Sequence, residues 1–512
     1  MTLADFKQAP WKRSHSAYKE SALAISPAPE YASSEVLVAS LYRTIGIQDA
    51  SEGGVPQAGR DMNRKLQKFL DRRQKPPDAT ADANTWHAVL HGILESPKLP
   101  NQSTKRFLQV SPLVPGTARF SGSARLTSNS WPAGSLIRRM AWLGSDSADS
   151  AGALWSELFD ALKVNGKDDI FARWLQNENA AWSGSPESWK LLLPPATEVA
   201  TLPSQDLQHV QFPARQFTKD LRAVIQAKDS MTRRQWISLL EAVLRLGAVS
   251  HVTWLCDVHS RIWKCVSAAL DGEGAWDEKE TRIAIFPTRL QYMSYGDKAL
   301  PGIKDRVSAY LQARLGINSV LWSLEEAGVG YQESLSSSSD IAKFCRHVRD
   351  NVDAIALANT KGTITEVIER EARILLCKKG IGSNMLEFAR HALGQRQTAS
   401  PILRGYDQGY VLKKRGASNS SPWIVSLGPV SVLAFVHCAL AGMGGPRSIH
   451  QLSQHLLAYG IVVDRHDIAR NDLGHQLRML GLVLDSPDAE SGMLLLPPFT
   501  PSHMSVQDKS NE

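Results

Sequence analysis

The chain holds 512 residues, 43% hydrophobic and 21% charged, which is the balance of a folded globular protein and excludes a disordered or fibrous one. A chain this long exceeds one small core, so two to four domains are expected. Its 58 Lys and Arg against 51 Asp and Glu leave a net charge of +7, compatible with a polyanion partner but too dilute for a protein that coats nucleic acid.

The N-terminus, MTLADFKQAP, has an early acid and no apolar signal stretch, so a cytoplasmic location is expected. Helical spacing of apolar residues predicts a helix over 34–46 and a second over 59–75, the latter with Met62, Leu66, Phe69 and Leu70 on one face. The opposite face of 59–75 carries Arg60, Arg64, Lys65, Lys68, Arg72, Arg73 and Lys75 against Asp61 and Asp71, a local +5. Such a face either engages phosphates through counterion release or is the solvated side of a surface helix. A third helix is expected over 84–95, where His87, His91 and Glu95 recur at a spacing able to point metal ligands one way, although an ordinary amphipathic helix has the same pattern.

Residues 101–135, rich in Ser, Pro, Gly and Thr, read as an irregular connector between an N-terminal helical region (1–100) and a central helical domain (136–400). Within the latter, SLIRRMAWLG, ALWSELFDALKV and DIFARWLQNENAAW are helical, and a proline-rich break falls at 183–205. The most definite signal is 231–270: Thr232 and Gln235 make a capping box, followed by Trp236, Leu239, Leu240, Val243 and Leu244 as a stripe. Cys256, His259, His251 and Cys265 lie in this region, where free cysteine packs as a small apolar residue more readily than it builds a zinc site. TRIAIFP (281–287) is the clearest strand pattern. Beside it, Asp277-x-Lys279 faintly resembles half of a PD-(D/E)xK nuclease site and equally suits a solvated turn. Helices follow over 304–327, after the serine run near 335, from a second capping box at Thr363 and Glu366, and in SNMLEFARHALG.

No GxxxxGK[ST], HExxH, GxSxG or kinase motif is present, so a conventional NTPase, kinase, hydrolase or zinc protease is not indicated. The five cysteines (Cys256, Cys265, Cys345, Cys377, Cys438) form no CxxC and read as free thiols in a reducing compartment. No cofactor or metal is expected. Gly416 to Pro446 lacks any Asp, Glu, Lys or Arg, but its Pro, Ser, His and Gly residues fit a buried strand and helix better than a membrane segment.

Residues 401–500 then give an apolar helix (428–443), a helix opened by a capping box at Ser448 and Gln451, a third helix ending LGHQLRMLGLV, and two strand-like pieces around DSPDAESG, before a tail (501–512). This order resembles the winged-helix family, carried by Leu473, Leu477 and Leu480 before Gly481-Leu482-Val483. Ile468 lies off that stripe, so the third helix is expected to start late or bend. The resemblance implies that Asn471, His475 and Arg478 face outward, where Asn and Arg suit base edges. Asp485, Asp488 and Glu490 make the wing tip acidic, and nine basic residues balance nine acidic ones from 401 onward, which suits a protein partner as well as DNA. The fold class read here is mainly α: a multi-domain helical body with a C-terminal winged helix. The tryptophan-rich body with such an end is similar in type to accessory proteins of bacterial anti-phage defence systems. The function expected is a non-enzymatic, DNA-associated adaptor or subunit bound to other proteins and not to membrane. A metal-dependent nuclease with dispersed carboxylates and a protein-binding regulator are the alternatives.

Overall fold

The computed structural model describes residues 2–25, 34–48, 50, 54–75, 79–89, 110–121, 133–178, 189–195, 201–208, 210–274, 276–376, 381–395, 409–416, 418, 420–443, 445–464, 468, 471–485 and 493–499. The chain is mostly helical. Twenty α-helices and seven short strands occur among these residues.

The axis of the body is the helix Arg233–Leu270, 38 residues and about 57 Å long. Thr232 opens it with the expected capping box: its side chain accepts from the Gln235 amide, and the Gln235 side chain accepts from the Thr232 amide. From Leu239 to Cys256 every residue of the helix is buried, so its apolar residues are not confined to one face there. Leu300–Glu326, Pro213–Gln226, Ser34–Gly46, Ser338–Asp350 and Pro429–Leu440 all pack against it. It is also the one described helix long and apolar enough to cross a membrane, and that stretch is wholly buried within the protein. A single core runs along it from Ala17 to Leu495. A smaller core, built on Met62, Trp86, Val114 and Phe120, lies beneath the helix Val55–Asp71.

The start of the central helix sits on a buried ionic junction. The Arg233 guanidinium is 1% exposed and donates to Asp168 Oδ1 at 2.9 Å, the Tyr42 hydroxyl at 2.9 Å, the Leu113 carbonyl at 2.6 Å and the Leu162 carbonyl. Lys228 Nζ lies 3.3 Å from Asp168 Oδ2 and donates to the Lys163 carbonyl at 3.1 Å. Leu162 and Lys163 end the helix Ala148–Leu162, so both cations satisfy carbonyls at its negative pole. Asp169 caps Ile170–Asn177 through Oδ1 and accepts the Arg233 amide through Oδ2 at 2.8 Å. Three helix ends are thereby satisfied at one point.

Residues 409–499 lie directly on this body. β1 (Met293–Ser294) pairs in parallel with a strand of that region, Ile461–Val462. The region opens with an antiparallel hairpin, β2 (Tyr410–Lys414) and β3 (Trp423–Leu427), followed by the helix Pro429–Leu440, β4 (Arg447–Ser448) and the helix His450–Ala458. The body's partner strand Ile461–Val462 is β5, and the helix Asp472–Met479, β6 (Val483–Asp485) and β7 (Met493–Leu495) complete it. β4, β7 and β6 form an antiparallel sheet in that order, with Arg447 opposite Leu495 and Val483 also opposite Leu495. Asp220, 1% exposed on Pro213–Gln226, accepts from the Tyr459 hydroxyl at 2.7 Å and from Gln216 Nε2 at 2.7 Å, and its Oδ2 lies 2.9 Å from His455 Nε2. Burial first, then the Asp220 charge, pushes the Tyr459 hydroxyl well above its ordinary value, so it stays protonated and donates.

Three expectations are corrected. TRIAIFP is not a strand: Glu278–Ile285 is a helix, because Asp277 caps it through the Glu280 amide and Glu278 pairs with Arg282 one turn on at 2.8 Å. Thr363 does not open a helix, because the helix begins at Thr360 and Thr363 lies buried in its first turn. Ser448 and Gln451 make no capping box. Ser448 is held in β4 opposite Leu494, and Ile449, which has no capping side chain, precedes the helix. The late start of the last helix is borne out, with Ile468 buried ahead of Asp472.

Burial alone would raise the Asp168 carboxyl, but Arg233, the Asn165 amide and Lys228 together hold it below its ordinary value. A depressed carboxylate contributes stability above its unfolded value, about 3.9, and that contribution is lost as pH falls through the lowered folded value. Asp168→Asn is expected to cost about 3–5 kcal/mol in urea unfolding at neutral pH, and to flatten the acid limb of stability against pH below about 4. An unchanged acid limb would assign the junction no such role.

Candidate nucleic-acid interface

The candidate residues fall on two surfaces. The first is the helix Val55–Asp71. Its apolar side seats Met62 in the small core and packs Phe69 edge-on to Trp86, with ring centroids 6.2 Å apart. That seating turns Arg60, Arg64 and Lys68 to solvent. Arg60 donates to Gln57 Oε1, while Arg64 lies 3.7 Å from Asp61, a contact too long and exposed to neutralise it. The side chains of Lys65, Leu66 and Leu70 fall outside the described residues.

The helix ends in a Schellman-type turn, with the Gln74 amide donating to the Phe69 carbonyl at 2.9 Å. The left-handed position of this turn, which glycine fills at least cost, is occupied by Arg73 at φ +51°. Arg72 and Arg73 are exposed at this end. Lys75 is spent differently: its Nζ donates to the Ala79 and Ala81 carbonyls at 2.7 Å and holds the next turn closed.

The second surface surrounds the helix Asp472–Met479. Leu473 and Leu477 are fully buried and Leu480 packs on the core, as their spacing predicts. His475 and Arg478 are on the exposed side, and Arg478 Nη2 lies 3.7 Å from Met493 Sδ. Asn471 has another duty. It is half-buried and caps the helix, its Oδ1 accepting from the Leu473 and Gly474 amides at 2.9 and 3.2 Å. Asp488 and Glu490 lie outside the described residues, as does the side chain of Asp485.

The expected buried strand of the uncharged stretch is β3, and its pairing with β2 forms a hairpin that abuts the first turn of this helix. Ser426 Oγ donates to Asp472 Oδ2 at 2.9 Å, Lys413 Nζ lies 3.6 Å from the same oxygen, and Gln476 Nε2 donates to the Leu427 carbonyl at 2.8 Å. Lys413, the first of the run Lys413-Lys414-Arg415, is therefore brought to the first turn of the helix that carries His475 and Arg478, where it faces Asp472. A signal existed: the short YVLKK and WIVSL runs flank the turn-forming residues GASNSSP.

The metal readings find little footing. His87 Nε2 is engaged with the Gln74 carbonyl at 2.8 Å, and His91 and Glu95 lie outside the described residues. His259 Nδ1 is 2.8 Å from the Leu255 carbonyl, and Cys256, Cys265, Cys345 and Cys438 are buried free thiols. Burial pushes the Cys265 thiol up to about 11, so it stays protonated. Among the described residues no three His, Cys, Asp or Glu side chains converge as a metal site. Asp277, the candidate nuclease acid, is occupied as a helix cap. No protein-family model, curated protein or solved structure matches the chain.

Two stability measurements test these assignments. Asn471→Ala should cost about 1 kcal/mol in urea unfolding and Asn471→Asp much less; equal midpoints for Asn471→Ala and the parent chain would refute the cap. Arg73→Gly should raise stability by about 1 kcal/mol by relieving the left-handed backbone, and a loss of stability would contradict that reading.

Proposed function

We propose that residues 429–495 form a winged helix and that the chain is a non-enzymatic, DNA-associated adaptor or subunit of a larger cytoplasmic assembly. One observation carries the reading: the order helix, strand, helix, strand, helix, strand, strand, in which β5 pairs with the body while β4 is hydrogen-bonded to β7 and β7 to β6. In DNA-binding winged helices that arrangement presents the third helix to the major groove.

The charge placement supports DNA as the partner. His475 and Arg478 lie on the exposed side of that helix, and Lys413 stands beside its first turn near Asp472, with Lys414 and Arg415 following it in the chain. The residue totals from 401 onward are balanced, and Arg478 and the Lys413-Lys414-Arg415 run are the cations offered to the backbone phosphates that flank a groove-bound helix. Arg60, Arg64, Lys68, Arg72 and Arg73 on the N-terminal helix offer a second polyanion contact, independent of sequence. Asn471 contributes by holding the helix start, not by reading a base. Membership of a bacterial anti-phage assembly is part of the proposal and rests on the overall type.

A second reading has its own support. Met479 is 73% exposed and Leu484 49% exposed, both at the end of the same unit, and exposed apolar side chains there suit a protein partner.

Fluorescence anisotropy with a labelled duplex across a salt series separates the two. Binding is expected at about 50 mM salt with a steep salt dependence. Lys413→Gln with Lys414→Gln should lower the slope of log affinity against log salt by about 2. Arg478→Gln should weaken binding further, whereas Met479→Ser should leave it intact. The absence of duplex binding at about 50 mM salt would overturn the DNA reading.

A further inference from the structure

Away from both surfaces, a recess of about 310 Å³ opens between the helices Ala133–Gly144, Ala148–Leu162 and Pro213–Gln226. Its lining includes Arg215, Lys219 and Arg222, which recur at i, i+4 and i+7 and so project from one side of Pro213–Gln226. The other side of that helix buries Phe217, Leu221 and Val224, which holds the cationic row in place. Gly144 sets the approach of the facing helix: a Cβ there would meet the Ala214 carbonyl oxygen at 2.1 Å. The floor of the recess is therefore fixed by packing.

The cations have weak partners. Arg215 Nη2 pairs with Asp146 Oδ1 at 3.0 Å, but Asp146 is 86% exposed. Arg222 donates to the Ser150 carbonyl and hydroxyl at 3.3 and 3.2 Å, and its Nε is 4.0 Å from Glu157. Lys219 is exposed and has no ion pair among the described residues. The nearby hydroxyls of Ser145 and Thr218 already donate to the Ala141 and Gly144 carbonyls. What the recess offers a ligand is thus cationic donors, three positive charges against the exposed carboxylate of Asp146 and the more distant one of Glu157.

We propose that this recess binds a phosphate group, carried by a small phosphorylated molecule. Two guanidinium forks and an ammonium on one rigid row match a phosphate dianion in charge and in directional donors. The volume is at the lower end of small-molecule sites, and the lining comes from three helices. Binding exchanges the exposed Asp146 carboxylate on Arg215 for the ligand phosphate. The site does not depend on the winged-helix reading.

Isothermal titration calorimetry of the full chain with pyrophosphate and with adenosine monophosphate, adenosine being the phosphate-free control, tests it. Saturable one-site binding is expected for the phosphorylated probes and none for adenosine. Lys219→Gln, which breaks no contact of the fold, should weaken binding by about tenfold. Asp146→Asn should tighten it by about two- to fivefold, a gain that a purely structural role of Asp146 would not give. No saturable binding of either phosphorylated probe, or affinities unmoved by both substitutions, would overturn the proposal. So would an effect of Lys219→Gln on duplex affinity alone, which would make the recess a contact for DNA backbone.

Discussion

Everything in this fold is hung on one buried cation. Arg233 stands at the first turn of the central helix with Asp168, the Tyr42 hydroxyl and three main-chain carbonyls around it. An unpaired guanidinium at that depth would be prohibitively costly, so the charge is tolerable only while its surroundings are all in place. Those surroundings come from Ser34–Gly46, the segment near Leu113 and the end of Ala148–Leu162, elements distant in sequence. The burial of Arg233 is therefore less a source of net stability than a condition on how these elements meet. The apolar length of the helix supplies the driving force, and the junction sets the position from which it extends.

The C-terminal unit inherits that position. Pro429–Leu440 packs along the same helix, and the Asp220, Tyr459 and His455 cluster fixes His450–Ala458 against Pro213–Gln226. Arg245, from the middle of the central helix, donates to the Ala392 and Tyr410 carbonyls and so holds the start of the hairpin. Tyr410 and Val411 there adopt φ of +33° and +73°, unfavourable for bulky side chains and most of all for the β-branched Val411, and retained where surrounding contacts override it. The hairpin in turn rests on the first turn of Asp472–Met479. A chain of packed elements thus connects the buried axis to the surface proposed to meet DNA, and the cations on that surface are presented from a rigid support.

Much of this was legible where the signal is local. Helical spacing located Ser34–Gly46, Arg233–Leu270 and Leu300–Glu326, and the Thr232 box marked a true helix start. The inward set Leu473 and Leu477 followed from periodicity alone. Local rules failed where a competing contact decided. Alternation in TRIAIFP lost to the Asp277 cap, and the Ser448 box lost to pairing with Leu494, a partner beyond any local window. Asn471 reads equally well as a base-contacting or a capping residue, and only its hydrogen bonds assign it. The ionic junctions were illegible in principle, since Asp168 and Arg233, or Asp220 and Tyr459, announce nothing about each other in sequence. The same holds for the hairpin cations, whose meaning lies in what they stand beside.

Residue totals make the C-terminal region neutral, whereas the fold brings Lys413 of the hairpin to the first turn of the helix that carries Arg478. Amide hydrogen exchange on the full chain, free and saturated with duplex DNA, examines this most directly because it reports by segment. The account predicts slowed exchange over 410–427 and 472–485, with the Arg233–Leu270 helix unchanged. Slowing confined to other segments, or none anywhere under saturation, would contradict it.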